Sequence, residues 1–182
     1  MIKQAFPRLL LSALALVLWT GSAFAADAAK KARPSKGDVP PAYVGHQLAG
    51  DDVLLDPKAG KAYVVSFWAT WCGYCMKELP ILANIQRIAG DKVQVIAINT
   101  EERDVYRRVQ GAIKDLGITS TYDPGNKAHD AYGVTGIPHM VIVGRDGRIT
   151  SVRVGYDESS LEGLAAEINQ AMAAPLAKAE AN

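Results

Sequence analysis

The chain has 182 residues, of which 49% are hydrophobic and 21% are charged, and its formal net charge is +1 at pH 7. This near-neutral balance excludes nucleic-acid binding or membrane-surface binding that depends on an excess of basic residues. Only two cysteines are present, and they are too close in the sequence to brace a fold, which excludes a protein stabilised by a disulfide framework.

The N-terminus has the order of a secretory signal peptide. Lys3 and Arg8 supply positive charge, residues 9–19 are apolar, and residues 23–25 (AFA) are a small-residue cleavage site. We predict a signal peptide over residues 1–25 and an exported mature chain with 18 basic and 19 acidic residues. The alternative is an uncleaved anchor, although the apolar stretch is short against the roughly 20 residues that span a bilayer.

The next segment, residues 26–41, is rich in Lys and Pro and has almost no large apolar side chain. It cannot bury enough surface to order itself, so we predict a flexible tether. Residues 42–174 have the size of one domain with one core and form the predicted folded part. Residues 175–182, mostly Ala, Lys and Glu, are predicted to fray.

The first half of the folded part predicts an α/β arrangement. Two short extended segments, 43–48 and 53–55, predict a small hairpin at the edge of a sheet. The segment 63–68 is an almost unbroken apolar run, which is typical of a strand buried on both faces of a parallel sheet. A helical pattern over 72–89 and a second apolar run over 93–98 complete a βαβ unit.

Both cysteines, Cys72 and Cys75, lie where the 63–68 strand is expected to run into the helix. At the first turn of a helix, unpaired backbone N–H groups and the helix dipole stabilise a thiolate. We therefore predict that Cys72 is a redox nucleophile and that Cys75 is its resolving partner. A structural zinc site is a weaker alternative, since no second Cys or His pair follows at the required spacing. A chance pair of buried thiols would not explain the strand before and the helix after.

The second half predicts further helices and strands. Asn99 or Thr100 can cap a helix that ends at Gly117. Residues 159–162 form a capping box for a last helix. Between these helices the pattern predicts a turn at 123–125, a short helix over 126–132, and antiparallel strands over 140–143 and 149–154. The last helix is expected to bury Leu161, Leu164, Ala165 and Ile168.

Three segments resemble the active-site elements of thioredoxin-fold proteins: residues 67–75 (FWATWCGYC), Pro80 in the following helix, and residues 136–138 (GIP). The signal peptide, the sequence around the cysteines, Glu78-Leu79-Pro80 and the additional strand and helix over 93–116 make the chain more similar to the exported TlpA/ResA branch. The resemblance implies an α/β thioredoxin fold, with a central mixed sheet flanked by helices, an N-terminal β-hairpin and an inserted βα unit. It also implies a cis peptide bond between Ile137 and Pro138.

The resemblance further implies a periplasmic thiol-disulfide oxidoreductase, of the kind that reduces protein disulfides in cytochrome c maturation or in copper-site proteins. No cofactor is implied other than the redox-active Cys72–Cys75 disulfide. The implied partners are protein disulfide clients and a membrane protein that re-reduces the dithiol, with no nucleic acid, and the protein is expected to be a monomer. The residues expected to contact clients are the side chains of Trp71 and Tyr74 and the backbone of Ile137 and Pro138.

Ser66 and Glu78 mark the first departure from thioredoxin. Ser66 stands where thioredoxin has a buried Asp that assists proton transfer at the resolving cysteine. Glu78 lies three residues after Cys75, on the same helical face, and the TlpA/ResA branch has an active-site Glu at this place. Glu78 is therefore a candidate proton carrier for the dithiol, and a solvated helix Glu is the equally weighted alternative.

The dipeptide between the cysteines marks the second departure. Gly73-Tyr74 resembles the pair found in the periplasmic disulfide isomerase, so an isomerase or oxidase is an alternative to a reductase. That isomerase has a separate dimerisation domain, and the stretch before Pro41 is too short and too polar to form one.

His139, directly after Pro138, marks the third departure, because thioredoxins usually have Thr there. If His139 reaches the dithiol, it could complete a three-residue site for Cu(I) or Zn with Cys72 and Cys75, and the protein would then deliver metal. A structural His that points away from the cysteines is the favoured alternative, and no metal is expected.

Overall fold

A computed structural model describes residues 33–176. Within this range the chain forms seven strands and four α-helices. The strands are β1 Tyr43–His46, β2 Asp52–Leu54, β3 Ala62–Trp68, β4 Val93–Asn99, β5 Thr119–Tyr122, β6 His139–Val143 and β7 Ile149–Val154. The helices are α1 Gly73–Ala89, α2 Arg103–Lys114, α3 Lys127–Tyr132 and α4 Leu161–Ala173.

The strands form one mixed sheet in the order β2-β1-β5-β4-β3-β6-β7. β3, β4 and β5 are parallel neighbours, whereas the β1–β2 hairpin, β6 and β7 pair antiparallel. The predicted βαβ unit and both predicted hairpins are therefore present, and β2 lies at one edge of the sheet. This is the mixed sheet flanked by helices that the resemblance implied, so the α/β thioredoxin fold is confirmed.

The core lies on both faces of the sheet, because β3 and β6 are buried throughout. Successive side chains of a strand point to opposite faces. One face, with Val64 and Trp68, packs against residues of α1, α2 and α4, and this cluster contains both cysteines. The other face, with Val65 and Phe67, packs against α3 and the N-terminal hairpin. The apolar runs that predicted these strands are thus explained by burial on two sides.

The strand β5 was missing from the sequence prediction. Thr119–Tyr122 pairs parallel with β4 and antiparallel with β1, so it joins the hairpin to the rest of the sheet. The Thr121 hydroxyl donates a hydrogen bond of 2.7 Å to the Val44 carbonyl. A short run of Thr and Ser lacks the apolar signal of β3, although its β-branched and aromatic residues favour a strand.

Both predicted helix caps are wrong. Asn99 is the last residue of β4, the Thr100 hydroxyl donates to the Trp68 carbonyl, and the N-cap of α2 is Glu102, which makes no side-chain cap hydrogen bond. The N-cap of α4 is Ser160 rather than Ser159, and it makes no side-chain cap hydrogen bond; the Asp157 carboxylate accepts from the Ser159 N–H at 3.0 Å. In α4, Leu164 and Ile168 are buried as expected, but Ala165 is exposed and Ala171 is buried instead.

The part of the predicted tether that the structure describes, residues 33–41, is attached to the domain. The Gly37 N–H donates to the Ile149 carbonyl at 2.8 Å, and the Ile149 N–H donates to the Asp38 carbonyl at 2.9 Å. Backbone hydrogen bonds, rather than apolar burial, order this stretch, which is why composition did not predict it.

Several predicted segments fall outside the described residues: the signal peptide, the tether before residue 33 and the tail after residue 176. Within the described range 33–176, none of the helices combines the length and the apolar character that crossing a bilayer requires.

Candidate active site

The two cysteines form a disulfide at the start of α1. Cys72 is the N-cap residue of the helix and Cys75 lies in its first turn, and their Cα atoms are 5.2 Å apart. Cys72 is 6% exposed and Cys75 is 1% exposed. The Cys72 Sγ accepts a hydrogen bond of 3.1 Å from the Cys75 N–H. Cys72 is slightly more exposed than Cys75, as expected for the nucleophile, although both cysteines are buried in this oxidised form.

The surroundings of Cys72 favour a thiolate after reduction. An N-cap side chain faces the backbone N–H groups that have no partner in the helix, and these carry the positive end of the dipole. The first turn of α1 holds no acidic residue that would oppose this effect. The N–H of Cys75 already points at the Cys72 sulfur. A negative charge would therefore be better accommodated on Cys72 than on a cysteine in free solution.

Glu78 is buried in α1, on the helical face that also carries Cys75, and it is 6% exposed. The Ser66 hydroxyl of β3 donates a hydrogen bond of 3.1 Å to the Glu78 carboxylate. Burial raises the pKa of Glu78 to about 7, because it outweighs the lowering effects of Ser66 and of the Arg153 charge. The alternative of a solvated helix Glu is wrong. The Glu78 carboxyl group thus lies between β3 and α1, the helix that carries the disulfide.

The peptide bond between Ile137 and Pro138 is cis, as the resemblance implied. The Pro138 carbonyl accepts a hydrogen bond of 2.8 Å from the Gly155 N–H, so it is already occupied. Among the described residues, no hydrogen bond to the backbone of Ile137 is present. Of the two predicted client-aligning residues, only Ile137 therefore has backbone groups free for a client.

A groove of about 230 Å³ runs beside this loop and is lined in part by Trp71 and Ile137. A larger polar cavity of about 530 Å³ lies at the opposite end of the sheet, near Gly90 and Gly117. We associate the chemistry with the smaller groove because it borders the cysteine motif.

Two exposed aromatic side chains flank the disulfide along the sequence. Trp71 is 73% exposed and Tyr74 is 60% exposed. The ring of Tyr74 stacks on that of Tyr156, which follows β7, with ring centroids 5.7 Å apart and an angle of 20° between the planes. The Lys77 ammonium lies 5.7 Å from the centroid of the Tyr74 ring. The side chains of Trp71 and Tyr74 are thus at the surface, as expected for residues that contact clients, and Tyr156 joins them from the segment after β7.

His139 lies on the face of the sheet opposite the disulfide. Its strand partner is Phe67, the two rings meet edge to face at 5.9 Å, and Phe67 belongs to the core cluster without cysteines. Cys72, Cys75 and His139 therefore do not come together. The suggestion that they form a three-residue metal site is wrong. Nowhere in residues 33–176 do three or more His, Cys, Asp or Glu residues form a group suited to a metal ion.

His139 is nevertheless an unusual core residue. It is 3% exposed, and neither ring nitrogen has a hydrogen-bond partner among residues 33–176. Burial lowers its pKa to about 4, with smaller electrostatic contributions from His129 and Arg33. The ring is accordingly neutral at physiological pH, and it does not supply the imidazolium that would stabilise a thiolate.

Sequence reasoning missed two charged residues near the site. Arg153 of β7 lies beside Met140 of β6, which itself lies beside Ser66, and its charge acts on Glu78. Glu101, between β4 and α2, accepts hydrogen bonds from Thr70, two residues before Cys72. Neither residue belongs to a local motif, and the sheet topology alone brings them to the site.

A disulfide at the start of a helix, a buried carboxyl group behind it and a cis-proline loop, all on a thioredoxin fold, define a thiol-disulfide oxidoreductase. The chain belongs to the Redoxin family, whose model matches residues 35–168. The expected TlpA/ResA type is confirmed by its relatives, which include several ResA proteins.

Two relatives and one solved structure illustrate the similarity. The chain is 29% identical to the thiol-disulfide oxidoreductase ResA of Bacillus thuringiensis (strain Al Hakam), over 74% of this chain and 79% of that protein. It is 34% identical to the thiol:disulfide interchange protein HelX of Rhodobacter capsulatus, over 52% of each chain. A crystal structure of a thiol:disulfide interchange protein of the thioredoxin family from Chlorobium tepidum matches with a TM-score of 0.60 and 25% identity, covering 78% of this chain and 98% of that one.

Proposed function

We propose that this protein is a periplasmic reductase of protein disulfides in which Cys72 is the nucleophile and Cys75 is the resolving cysteine. The observation that carries the proposal is the position of Cys72 at the N-cap of α1, where its sulfur accepts the Cys75 N–H. A sulfur in this position gains most from helix-terminal stabilisation as a thiolate, which is the form that attacks disulfides.

The reduced protein acts in two exchange steps. The Cys72 thiolate attacks one sulfur of a client disulfide, forms a mixed disulfide, and releases the other client sulfur as a thiolate that takes up a proton. Cys75 then loses its proton and attacks the Cys72 sulfur, which forms the Cys72–Cys75 disulfide and releases the second client thiolate. The client gains two electrons and this protein loses two. A dithiol donor in the membrane restores the reduced form.

Glu78 is the proposed acceptor of the Cys75 proton. It lies three residues after Cys75 on one helical face, and its pKa of about 7 allows it to take up and return a proton near neutral pH. A carboxyl group with the ordinary pKa near 4.5 would be a weaker base. The Ser66 hydroxyl keeps the carboxylate hydrogen-bonded in its buried position.

The client is proposed to bind as an extended segment beside Ile137. The backbone of Ile137 has no internal hydrogen-bond partner among the described residues and borders the groove that Trp71 also lines. Main-chain hydrogen bonds from Ile137 would hold a client strand without demanding a particular side chain. The exposed rings of Trp71 and Tyr74 would cover apolar parts of the client. Clients of the types implied by the resemblance are apocytochromes c and copper-site proteins with cysteine pairs.

The direction of electron flow is tested by the reduction potential of the Cys72–Cys75 couple, measured by equilibration with dithiothreitol. We expect a value nearer about −270 mV than about −120 mV, together with reduction of insulin disulfides. A value near the oxidising end, with oxidation of a reduced dithiol peptide and no insulin reduction, would instead support the isomerase or oxidase suggested by Gly73-Tyr74.

The periplasmic location is tested separately. Protein recovered from a periplasmic fraction should have a mass that corresponds to an N-terminus at Ala26, directly after the predicted cleavage site. An intact N-terminus in the membrane fraction would instead indicate the uncleaved anchor.

A further inference from the structure

Glu101 connects two loops that follow neighbouring strands. It lies between β4 and α2, and Thr70 lies between β3 and the start of α1. The Glu101 Oε2 atom accepts a hydrogen bond of 2.6 Å from the Thr70 N–H, and Oε1 accepts one of 2.8 Å from the Thr70 hydroxyl. Both carboxylate oxygens are therefore engaged by a single residue, 31 positions earlier in the chain.

A buried amide fixes the Glu101 carboxylate from behind. Asn99 is fully buried at the end of β4. Its Nδ2 group donates to Glu101 Oε2 at 3.2 Å, and its Oδ1 atom accepts from the Glu101 N–H at 2.9 Å. Asn99 thus uses both ends of its side chain to orient Glu101, and hydrogen bonds to an ionised acceptor are stronger than neutral ones.

This contact lies outside the pairing of the two strands. The parallel ladder of β3 and β4 pairs every residue from Ala62 to Trp68 with one from Val93 to Asn99, and it ends there. Glu101 and Thr70 meet beyond the last pair, in the direction of the cysteines. The bonds therefore act on the loop between β3 and α1 rather than on the sheet.

The loop that Glu101 holds leads directly to the reactive sulfur. Thr70 is followed by Trp71, whose ring is exposed, and then by Cys72, whose N–H donates to the Ala69 carbonyl at 3.1 Å. A fixed Thr70 backbone therefore fixes the path of the chain from the last residue of β3 into the N-cap of α1. A small displacement of a reacting group has a large effect on rate.

We propose that Glu101 is a positioning residue for thiol-disulfide exchange: through its bonds to Thr70, it holds Trp71 and the Cys72 sulfur where a client disulfide is attacked. The inference rests on exchange by Cys72 and Cys75 and is independent of the direction of electron flow.

The test is a single-turnover reaction of the reduced protein with insulin, followed over a range of pH. In Glu101→Gln the rate at high pH, where Cys72 is fully thiolate, should fall about tenfold, as expected for loss of a hydrogen bond to a charged group. The matched control is Glu102→Gln, because Glu102 makes no side-chain cap hydrogen bond to α2. Its rate should equal that of the unmodified protein.

Two outcomes would overturn the proposal. A shift of the pH midpoint with an unchanged high-pH rate would mean that Glu101 acts only through its charge. A lower melting temperature with unchanged rates would mean that it only stabilises the loop. In either case Cys72→Ser would still be inactive, so the exchange function itself would stand.

A second pair of variants decides the question if Glu101→Gln does not fold. Thr70→Val keeps the shape of the side chain and the backbone N–H but removes the hydroxyl donor, so the high-pH rate should fall about threefold. Thr70→Ser keeps the donor and should restore most of that loss. Equal rates for the two variants would refute the role of the Thr70–Glu101 contact.

Discussion

Two buried titratable groups lie on opposite faces of the sheet, next to adjacent residues of β3. Glu78 is hydrogen-bonded to Ser66, and His139 packs against Phe67. Burial favours the neutral form of each group, so the pKa of the carboxyl rises to about 7 and that of the imidazole falls to about 4.

The difference lies in their neighbours. Glu78 has a hydroxyl donor and shares a helix with the disulfide, whereas both nitrogens of His139 lack partners among residues 33–176. The same physical effect thus gives one group that titrates at neutral pH beside a reactive sulfur and one that remains a neutral core ring. Burial sets the direction of each pKa shift. The position of the group relative to the disulfide determines whether it can exchange a proton with a cysteine.

The largest expected effect is on the rate of insulin reduction, and it should distinguish the face of the sheet with the disulfide from the face with His139. Cys72→Ser removes the attacking sulfur, so insulin reduction should fall on the order of a thousandfold or more. His139→Leu changes the opposite face only and should keep its rate within about threefold of the unmodified protein. Stopped-flow insulin reduction measures both. A His139 variant as inactive as the Cys72 variant would show that the two faces are not functionally distinct.

The next effect is on the pH dependence of stability, where the two groups act in opposite directions. As the pH falls below about 6.5, an unfolded His gains a proton that buried His139 does not accept until about pH 4, so folding loses stability. As the pH rises above about 4.5, an unfolded Glu loses a proton that Glu78 retains until about pH 7, so stability is again lost. Between about pH 4.5 and 6.5 the two contributions oppose each other.

Removing one of the two groups should reveal the pH dependence of stability that the other contributes. Relative to the unmodified protein, His139→Leu should lose about 1.4 kcal/mol of unfolding free energy for each unit of rising pH in this window, and Glu78→Gln the same amount for each unit of falling pH. Urea unfolding of the oxidised proteins at pH 4.5, 5.5 and 6.5 measures these slopes. Parallel curves for the three proteins would contradict the opposed pKa shifts.

A smaller effect is expected on the resolution step. Glu78→Gln keeps the shape of the side chain but removes the proton acceptor, so release of a client from the mixed disulfide should slow about tenfold. The rate should also lose its rise with pH near 7, and the thiol pKa values should fall because a negative charge is gone. Quenched-flow analysis of mixed disulfides provides the rate. An unchanged rate and pH profile would remove Glu78 from the mechanism.

The smallest effect is expected at the surface. Tyr156→Ala removes the ring that stacks on Tyr74, and such pairs contribute about 0.5 to 1.5 kcal/mol. The KM for insulin should rise about threefold with little change in kcat. Ile88→Ala, an exposed apolar residue at the far end of α1, is the control and should have no effect. Equal KM values for the two variants would remove Tyr156 from the client surface.

The site was predictable where its signals are local. The cysteine spacing, the apolar strand before it and the proline at position 138 each depend on a few neighbouring residues. The face on which His139 lies was not predictable in this way, because β6 is buried on both sides and its sequence shows no alternation. Glu101 and Thr70 are 31 residues apart in the sequence, so no local pattern indicates their contact. β5 is short and polar, so it lacks the apolar pattern that predicted the other strands.

The attachment of residues 33–41 affects whether the edge of the sheet can pair with a strand of another molecule. β7 is an edge strand, and an open edge can recruit a strand from another molecule. The hydrogen bonds of Ile149 with Gly37 and Asp38 occupy the first backbone donor and acceptor of that edge. The opposite edge, β2, is three residues long and begins with the exposed carboxylate of Asp52. Each border of the sheet thus has a feature that disfavours pairing with a strand of another molecule: a partly occupied backbone at β7, and a short, charged strand at β2.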